Sequence, residues 1–212
     1  VYDKLILMSR LPENEKETFT DFLRRIFKGM LESVGGFLNH LGIKPNMITI
    51  AGLVGNVCAS VMIATGHLLW GGLLAMLVGP FDALDGTMAR LRGESGRYGA
   101  FVDSVTDRYS EIALFGGLLV YFIQYGTWRE SLLVFFATIG SIMVSYVRAR
   151  AEALDFSAKN GLLTRAERYL ILIPGIILNC PIVSLWILAV LTNFTAIQRF
   201  WHVRRQAKDE EN

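Results

Sequence analysis

Four aspartates, Asp82, Asp85, Asp103 and Asp107, stand in the stretch Phe81-Asp82-Ala83-Leu84-Asp85-Gly86-Thr87-Met88-Ala89-Arg90 and its continuation through Gly99. On an α-helix, Asp82, Asp85, Gly86 and Ala89 recur at three- and four-residue intervals and share one face, as do Gly99, Asp103 and Asp107 on the next helix. A short turn near Gly93 to Gly96 would bring these faces together and converge the carboxylates on one point. Unpaired anions so close repel strongly at low dielectric, so the arrangement calls for cations. Hard oxygen ligands of this kind suit Mg²⁺ or Mn²⁺.

Such a site needs elements to hold it, and the composition says which kind. The 212 residues are 52% hydrophobic with a mean hydropathy of +0.40, too apolar for a soluble domain and suited to an all-α, multi-span membrane protein. The formal net charge of +2 says little; the placement of the positive charges says more. Cys58, in an apolar run, and Cys180, beside Pro181, have no disulfide or zinc spacing and read as buried packing residues. The first long apolar stretch begins around Met47, so no cleavable signal peptide is expected. Met8 is expected as the natural start, with Val1 to Leu7 an appended stretch.

Residues 1–17 are expected to form a flexible segment. Within 18–43, Phe19, Phe22, Leu23, Ile26, Phe27, Met30, Leu31, Val34, Phe37, Leu38 and Leu41 recur at helical spacing, with Arg24, Arg25 and Lys28 on the other side. This amphipathic helix either lies at the membrane interface or packs across the protein's own spans. Gly42 and Pro45 end it, and Asn46 with Thr49 offers capping chemistry for the first apolar helix. Six apolar segments fill 44–205: Met47 to Ala64, Leu68 to Met88, Ala100 to Tyr121, Ser131 to Ala153, Tyr169 to Leu178 and Ile182 to Trp201. Most approach the ~20 residues a spanning helix needs, while the fifth is short and carries Pro174. A polar tail, 206–212, closes the chain.

Charge alternates between the connections. Gly66-His67 and Asn179-Cys180-Pro181 carry no Lys or Arg, and the third-to-fourth loop carries only Arg129. Lys44, Arg90, Arg92, Arg97, Arg148, Arg150, Lys159, Arg165, Arg168, Arg199, Arg204, Arg205 and Lys208 fall on the other side. The positive-inside rule then makes both termini and the aspartate site cytoplasmic, in a prokaryotic cytoplasmic membrane.

Written out, the stretch is Asp-x-x-Asp-Gly-x-x-Ala-Arg, eight residues, Gly, three residues, Asp, three residues, Asp. It resembles the signature of the CDP-alcohol phosphotransferases, membrane enzymes that move a phosphatidyl-type group from a CDP-linked lipid to an alcohol. The resemblance covers about Lys44 to Arg205. It implies Asp82, Asp85, Asp103 and Asp107 as metal ligands, with Asp107 also the catalytic base. It implies a nucleotide site of Asp82, Asp85, Gly86, Ala89, Arg90 and Gly99, with Gly86 and Ala89 leaving room for the nucleotide. Two divalent ions, or one ion plus basic side chains, would clamp the pyrophosphate of CDP-diacylglycerol or a related CDP-lipid.

Ser145 to Ala153, Arg165 to Arg168 and Ile197 to Arg199 are similar to the corresponding segments of the prokaryotic phosphatidylinositol-phosphate synthases. That resemblance implies inositol 1-phosphate as acceptor, held by Arg148, Arg168 and Arg199, although position 148 more often carries lysine there. Arg150 and Arg165 are weaker candidates. Positive-inside anchoring is the competing reading of all these arginines. Glycerol 3-phosphate is the alternative acceptor, and a cation-coupled transporter is the reading from a different class. Arg108 and Glu111 pair with each other or with a neighbour. The three histidines have no ligand spacing, and no P-loop, dinucleotide fingerprint or zinc pattern is present. The basic tail beside a membrane is lipid-facing, so no nucleic-acid partner is expected. A homodimer is expected by resemblance.

Overall fold

The computed structural model describes residues 19–94, 96–158 and 163–210, and every regular element among them is α-helical. The elements are α1 (Phe19–His40), α2 (Pro45–Ala64), α3 (Leu68–Val78), α4 (Phe81–Arg92), α5 (Arg97–Tyr125), α6 (Trp128–Glu152), α7 (Arg165–Ile177) and α8 (Pro181–Glu210). The expected N-terminal segment, the start at Met8, the side chains of Arg24 and Arg25, and Lys159 lie outside the described residues.

Among the described residues, four helical stretches are long and apolar enough to cross a membrane: Pro45–Ala64, Leu68–Arg92, Trp128–Glu152 and Pro181–Asp209. Together with the all-helical build, they mark an all-α membrane protein. The second stretch is not one rod. Pro80 has no backbone N–H to donate, and the chain turns at Gly79-Pro80 between α3 and α4. The break starts a fresh helix at Phe81, placing Asp82 in its first turn, where a carboxylate meets the positive end of the helix dipole. Gly93, at φ 68°, then ends α4 in a left-handed turn open to glycine.

The site-bearing helices are held by close backbone approach. On α5, a Cβ at Gly117 would lie 2.5 Å from the Ser60 carbonyl of α2. The core between them contains Ile63, Leu114, Phe115 and Leu118, each at most 1% exposed. In lipid such small-residue contacts, rather than a hydrophobic driving force, bring helices together. The same logic packs α6 on α8 and α7 on α3 and α8.

α1 lies against α4, with Leu31 buried beside Leu84 and Met88. Arg92, in the last turn of α4, seals the pair: its Nε donates to Asn39 Oδ1 at 2.6 Å and its Nη2 to the Ile43 carbonyl at 2.8 Å. A cation thus satisfies carbonyls just past a helix C-terminus.

Two expectations are corrected. Asn46 and Thr49 do not cap α2: the helix begins at Pro45 with Lys44 as N-cap and no side-chain cap bond. Proline at the first helical position already removes one N–H that would need a partner. Thr49 instead donates to the Pro45 carbonyl and to Asp85. Cys58 and Cys180 are not buried but exposed, Cys58 on the outward side of α2 with Val57 and Val61.

Candidate active site

The four aspartates come from two consecutive helices, α4 and α5, as their spacing requires. Asp82 and Asp85 project from consecutive turns of α4, and Asp103 and Asp107 from consecutive turns of α5. Carboxylate oxygens of Asp82, Asp85 and Asp103 all lie within 4.8 Å of one another. Three charged groups at that spacing repel by about 3 kcal/mol per pair at an effective dielectric of ~20. The sum, roughly 10 kcal/mol, rivals the whole stability of a typical domain, so the set needs cationic compensation.

The donors fit a divalent ion. All are hard oxygens, and Asp103 Oδ1 is buried without a hydrogen-bond partner among the described residues. A carboxylate oxygen left so is costly unless a ligand completes it. Asp85 is 5% exposed and is oriented by the Thr49 hydroxyl from α2. Such a second contact fixes the carboxylate before any ion arrives.

Asp107 meets the cluster through an arginine. Its Oδ1 lies 2.6 Å from Arg165 Nη1, and the same nitrogen is 2.9 Å from Asp82 Oδ1. The next helical turn repeats the pattern, with Arg168 donating from Nε and Nη2 to Glu111 at 2.7 and 2.9 Å. Two ion pairs therefore tie α5 to α7, matching an i, i+4 step on one helix to an i, i+3 step on the other. Arg165 stands at the start of α7, whose capping box pairs Thr164 with Glu167.

Of the remaining expected residues, Arg90 donates to Thr87 Oγ1 at 2.9 Å and is exposed. Gly86 and Gly99 are not crowded by protein. A Cβ at Gly86 would meet only Arg90 Nη1, at 3.5 Å, and one at Gly99 would meet nothing within 4 Å. Ala89 is half-buried on the same helix. Arg168 and Arg199 are 3% and 2% exposed, and Arg199 Nη1 donates to the Val144 carbonyl at 2.7 Å. Arg168 Nη2 also reaches Ser145 Oγ at 3.4 Å, so arginines of α7 and α8 meet adjacent residues of α6, one turn before Arg148. Arg148 is exposed and pairs with Glu152 at 2.8 Å.

Two participants escaped the sequence reading. Arg165, rated a weak acceptor ligand, sits among the carboxylates. Glu111 pairs with Arg168 rather than Arg108, which donates to Ser104 and lies 4.0 Å from Asp107. Only the i+4 recurrence of Asp103, Asp107 and Glu111 on one face could have flagged Glu111.

Residues 43–198, including every aspartate of the site, match the sequence profile of the CDP-alcohol phosphatidyltransferases. The chain belongs to the CDP-alcohol phosphatidyltransferase family. Within this family, it is 38% identical over 191 residues to the phosphatidylinositol phosphate synthase of Mycobacteroides abscessus, covering 85% of this chain and 86% of that one. It is 34% identical over 186 residues to the archaetidylinositol phosphate synthase of Pyrococcus horikoshii, covering 87% of this chain and 96% of that one.

Among solved structures, the CDP-alcohol phosphatidyltransferase fold is matched by Mycobacterium tuberculosis phosphatidylinositol phosphate synthase with CDP-DAG bound. The TM-score is 0.75 at 31% identity, covering 82% of this chain and 92% of that one. The same enzyme in complex with manganese and citrate gives 0.78 at 30% identity, over 82% and 88% of the chains. A manganese complex of a relative and the acidic cluster described above are both consistent with divalent metal use.

Proposed function

We infer that this chain is a membrane transferase that moves a phosphatidyl group from CDP-diacylglycerol to inositol 1-phosphate, yielding phosphatidylinositol phosphate and CMP. The observation that carries the reading is the carboxylate cluster of the family signature, met by Arg165 of α7, beside a buried arginine set, Arg168 one turn later on α7 and Arg199 on α8, that suits a phosphorylated acceptor. Relatives named for different lipids agree in the inositol phosphate of their names. Family membership leaves the transporter reading without support.

In this reading Asp82, Asp85 and Asp103 would hold the divalent metal, and Asp107 would join them where two ions bind. Bound there, Mg²⁺ or Mn²⁺ supplies Lewis-acid stabilisation of charge on the pyrophosphate. Gly86, Ala89 and Gly99 leave the nucleotide its room, and Arg90 lies at the edge of that space. The glycines' open surroundings support this, since a Cβ there would meet nothing closer than Arg90 Nη1 at 3.5 Å among the described residues. Asp107 accepts the proton of the acceptor hydroxyl as that oxygen bonds to the donor phosphorus. The bond from phosphorus to the CMP oxygen breaks, and CMP departs with the electron pair. Arg148, Arg168 and Arg199 bind the acceptor phosphate. Glu111 engages Nε and Nη2 of Arg168, which leaves Nη1 for the ligand.

The same reading has six spans, with α5 and α7 joining the four long apolar stretches, and places the site and both termini on the cytoplasmic side of a cell membrane. α7, at 13 residues, extends only about 20 Å and so would cross the ~30 Å hydrocarbon core with its flanks. α1 lies at the interface, exposing Phe27, Met30, Val34 and Phe37 while its inner side rests on α4. A homodimer is carried by the family resemblance.

The test compares labelled inositol 1-phosphate, glycerol 3-phosphate and free inositol as acceptors, with CDP-diacylglycerol and Mg²⁺ in liposomes. Incorporation of inositol 1-phosphate alone, lost in Arg168→Ala or Arg199→Ala, is expected. Use of glycerol 3-phosphate instead would overturn the acceptor assignment.

A further inference from the structure

Arg165 is positioned too firmly to be an ordinary surface cation. The Thr164–Glu167 capping box fixes the backbone that carries it, and Arg168, one turn later, is locked to Glu111. From that anchor one guanidinium nitrogen reaches the first aspartate of the signature on α4 and the last on α5, at 2.9 and 2.6 Å. Asp82 therefore belongs both to the three-carboxylate group and to the arginine pair.

A divalent ion and the Arg165 guanidinium compete for the Asp82 and Asp107 oxygens that Arg165 contacts. A divalent ion against a guanidinium repels twice as strongly as two unit charges at the same distance. Without either, the anions repel one another. The requirement for charge balance is thus met by one cation or by the other, and the fold supplies one of them covalently.

We propose that Arg165 is the built-in counter-ion of the carboxylate cluster: it joins Asp82 to Asp107 when no divalent ion is bound, and yields Asp107 as the ion enters. Arginine suits the task because it stays charged and its flat fork can face two carboxylates at once. The proposal rests on the functional reading only in requiring that a divalent ion bind the aspartates.

The experiment uses the full chain in detergent, stripped with EDTA and titrated with Mn²⁺ alone, free Mn²⁺ being counted by electron paramagnetic resonance. Arg165→Gln is expected to bind Mn²⁺ at least tenfold tighter than the unsubstituted protein. Its melting temperature in EDTA is expected to be lower, with the difference vanishing at saturating Mn²⁺. Arg165→Lys keeps the cation and should tighten Mn²⁺ binding by less; it decides the matter alone if the glutamine variant does not fold without metal. Arg129→Gln, which removes the same charge from the first turn of α6, should leave the affinity unchanged. Unchanged or weaker Mn²⁺ binding in the Arg165 variants, beside normal binding by the unsubstituted protein, overturns the role of Arg165 and leaves the transferase reading intact. Absence of Mn²⁺ binding by the unsubstituted protein overturns both.

Discussion

Removing the Glu111 carboxylate should expose how much of the site's stability depends on one buried pair. Arg168 is 3% exposed and its partner 14%, and two charge-assisted hydrogen bonds join them. In Glu111→Leu the guanidinium stays buried, with a long contact to Ser145 Oγ at 3.4 Å for compensation. Stranding a buried charge in this way costs about 3–5 kcal/mol, a shift of roughly a hundredfold to several thousandfold in the folding equilibrium. Replacing both partners with apolar groups of similar volume is far less costly, because neither charge then has to be desolvated. Glu111→Leu with Arg168→Met should therefore recover most of the loss, and a double-mutant cycle should return a coupling of at least about 2 kcal/mol. Unfolding in mixed detergent micelles, followed by far-ultraviolet circular dichroism, measures all four proteins. A single-variant cost below about 1 kcal/mol, or additive effects, would refute the buried-pair argument.

Three further outcomes are expected from the same geometry. Asp107→Asn should abolish turnover while sparing CDP-lipid binding more than Asp85→Asn does; equal loss of binding in both would contradict the division between base and ligand. Thr49→Val removes the hydroxyl that orients Asp85 and should weaken Mn²⁺ affinity about tenfold, as measured by equilibrium titration. Gly117→Ala would drive a Cβ to 2.5 Å from the Ser60 carbonyl and should destabilise the α2–α5 contact by about 1–3 kcal/mol; a thermal melt unchanged from the parent would show that the helices are not held there.

The aspartates were legible because their chemistry follows helical spacing: Asp82 with Asp85, and Asp103 with Asp107, each need only one helix to share a face. The turn between them is local too, so the convergence of three carboxylates could be anticipated. Contacts between distant segments were not legible. Glu111 meets Arg168 across 57 residues, and nothing in the sequence prefers that partner to nearby Arg108. Arg165 reads as one more cytoplasmic arginine until α7 is placed beside α5. Local chemistry also misled at Thr49, whose position near a helix start suits a cap but whose hydroxyl serves a carboxylate 36 residues away. Hydropathy gave a single second span because it averages over Gly79-Pro80. It cannot register the break that starts α4, although the proline itself was visible.

The most direct test of the central claim follows the product of one reaction: purified protein in liposomes with CDP-diacylglycerol, Mg²⁺ and inositol 1-phosphate labelled in both ring and phosphate. The account predicts a lipid carrying both labels at their original ratio, with one CMP released per lipid formed. A lipid that has lost the phosphate label, or CMP release without a labelled lipid, would contradict it.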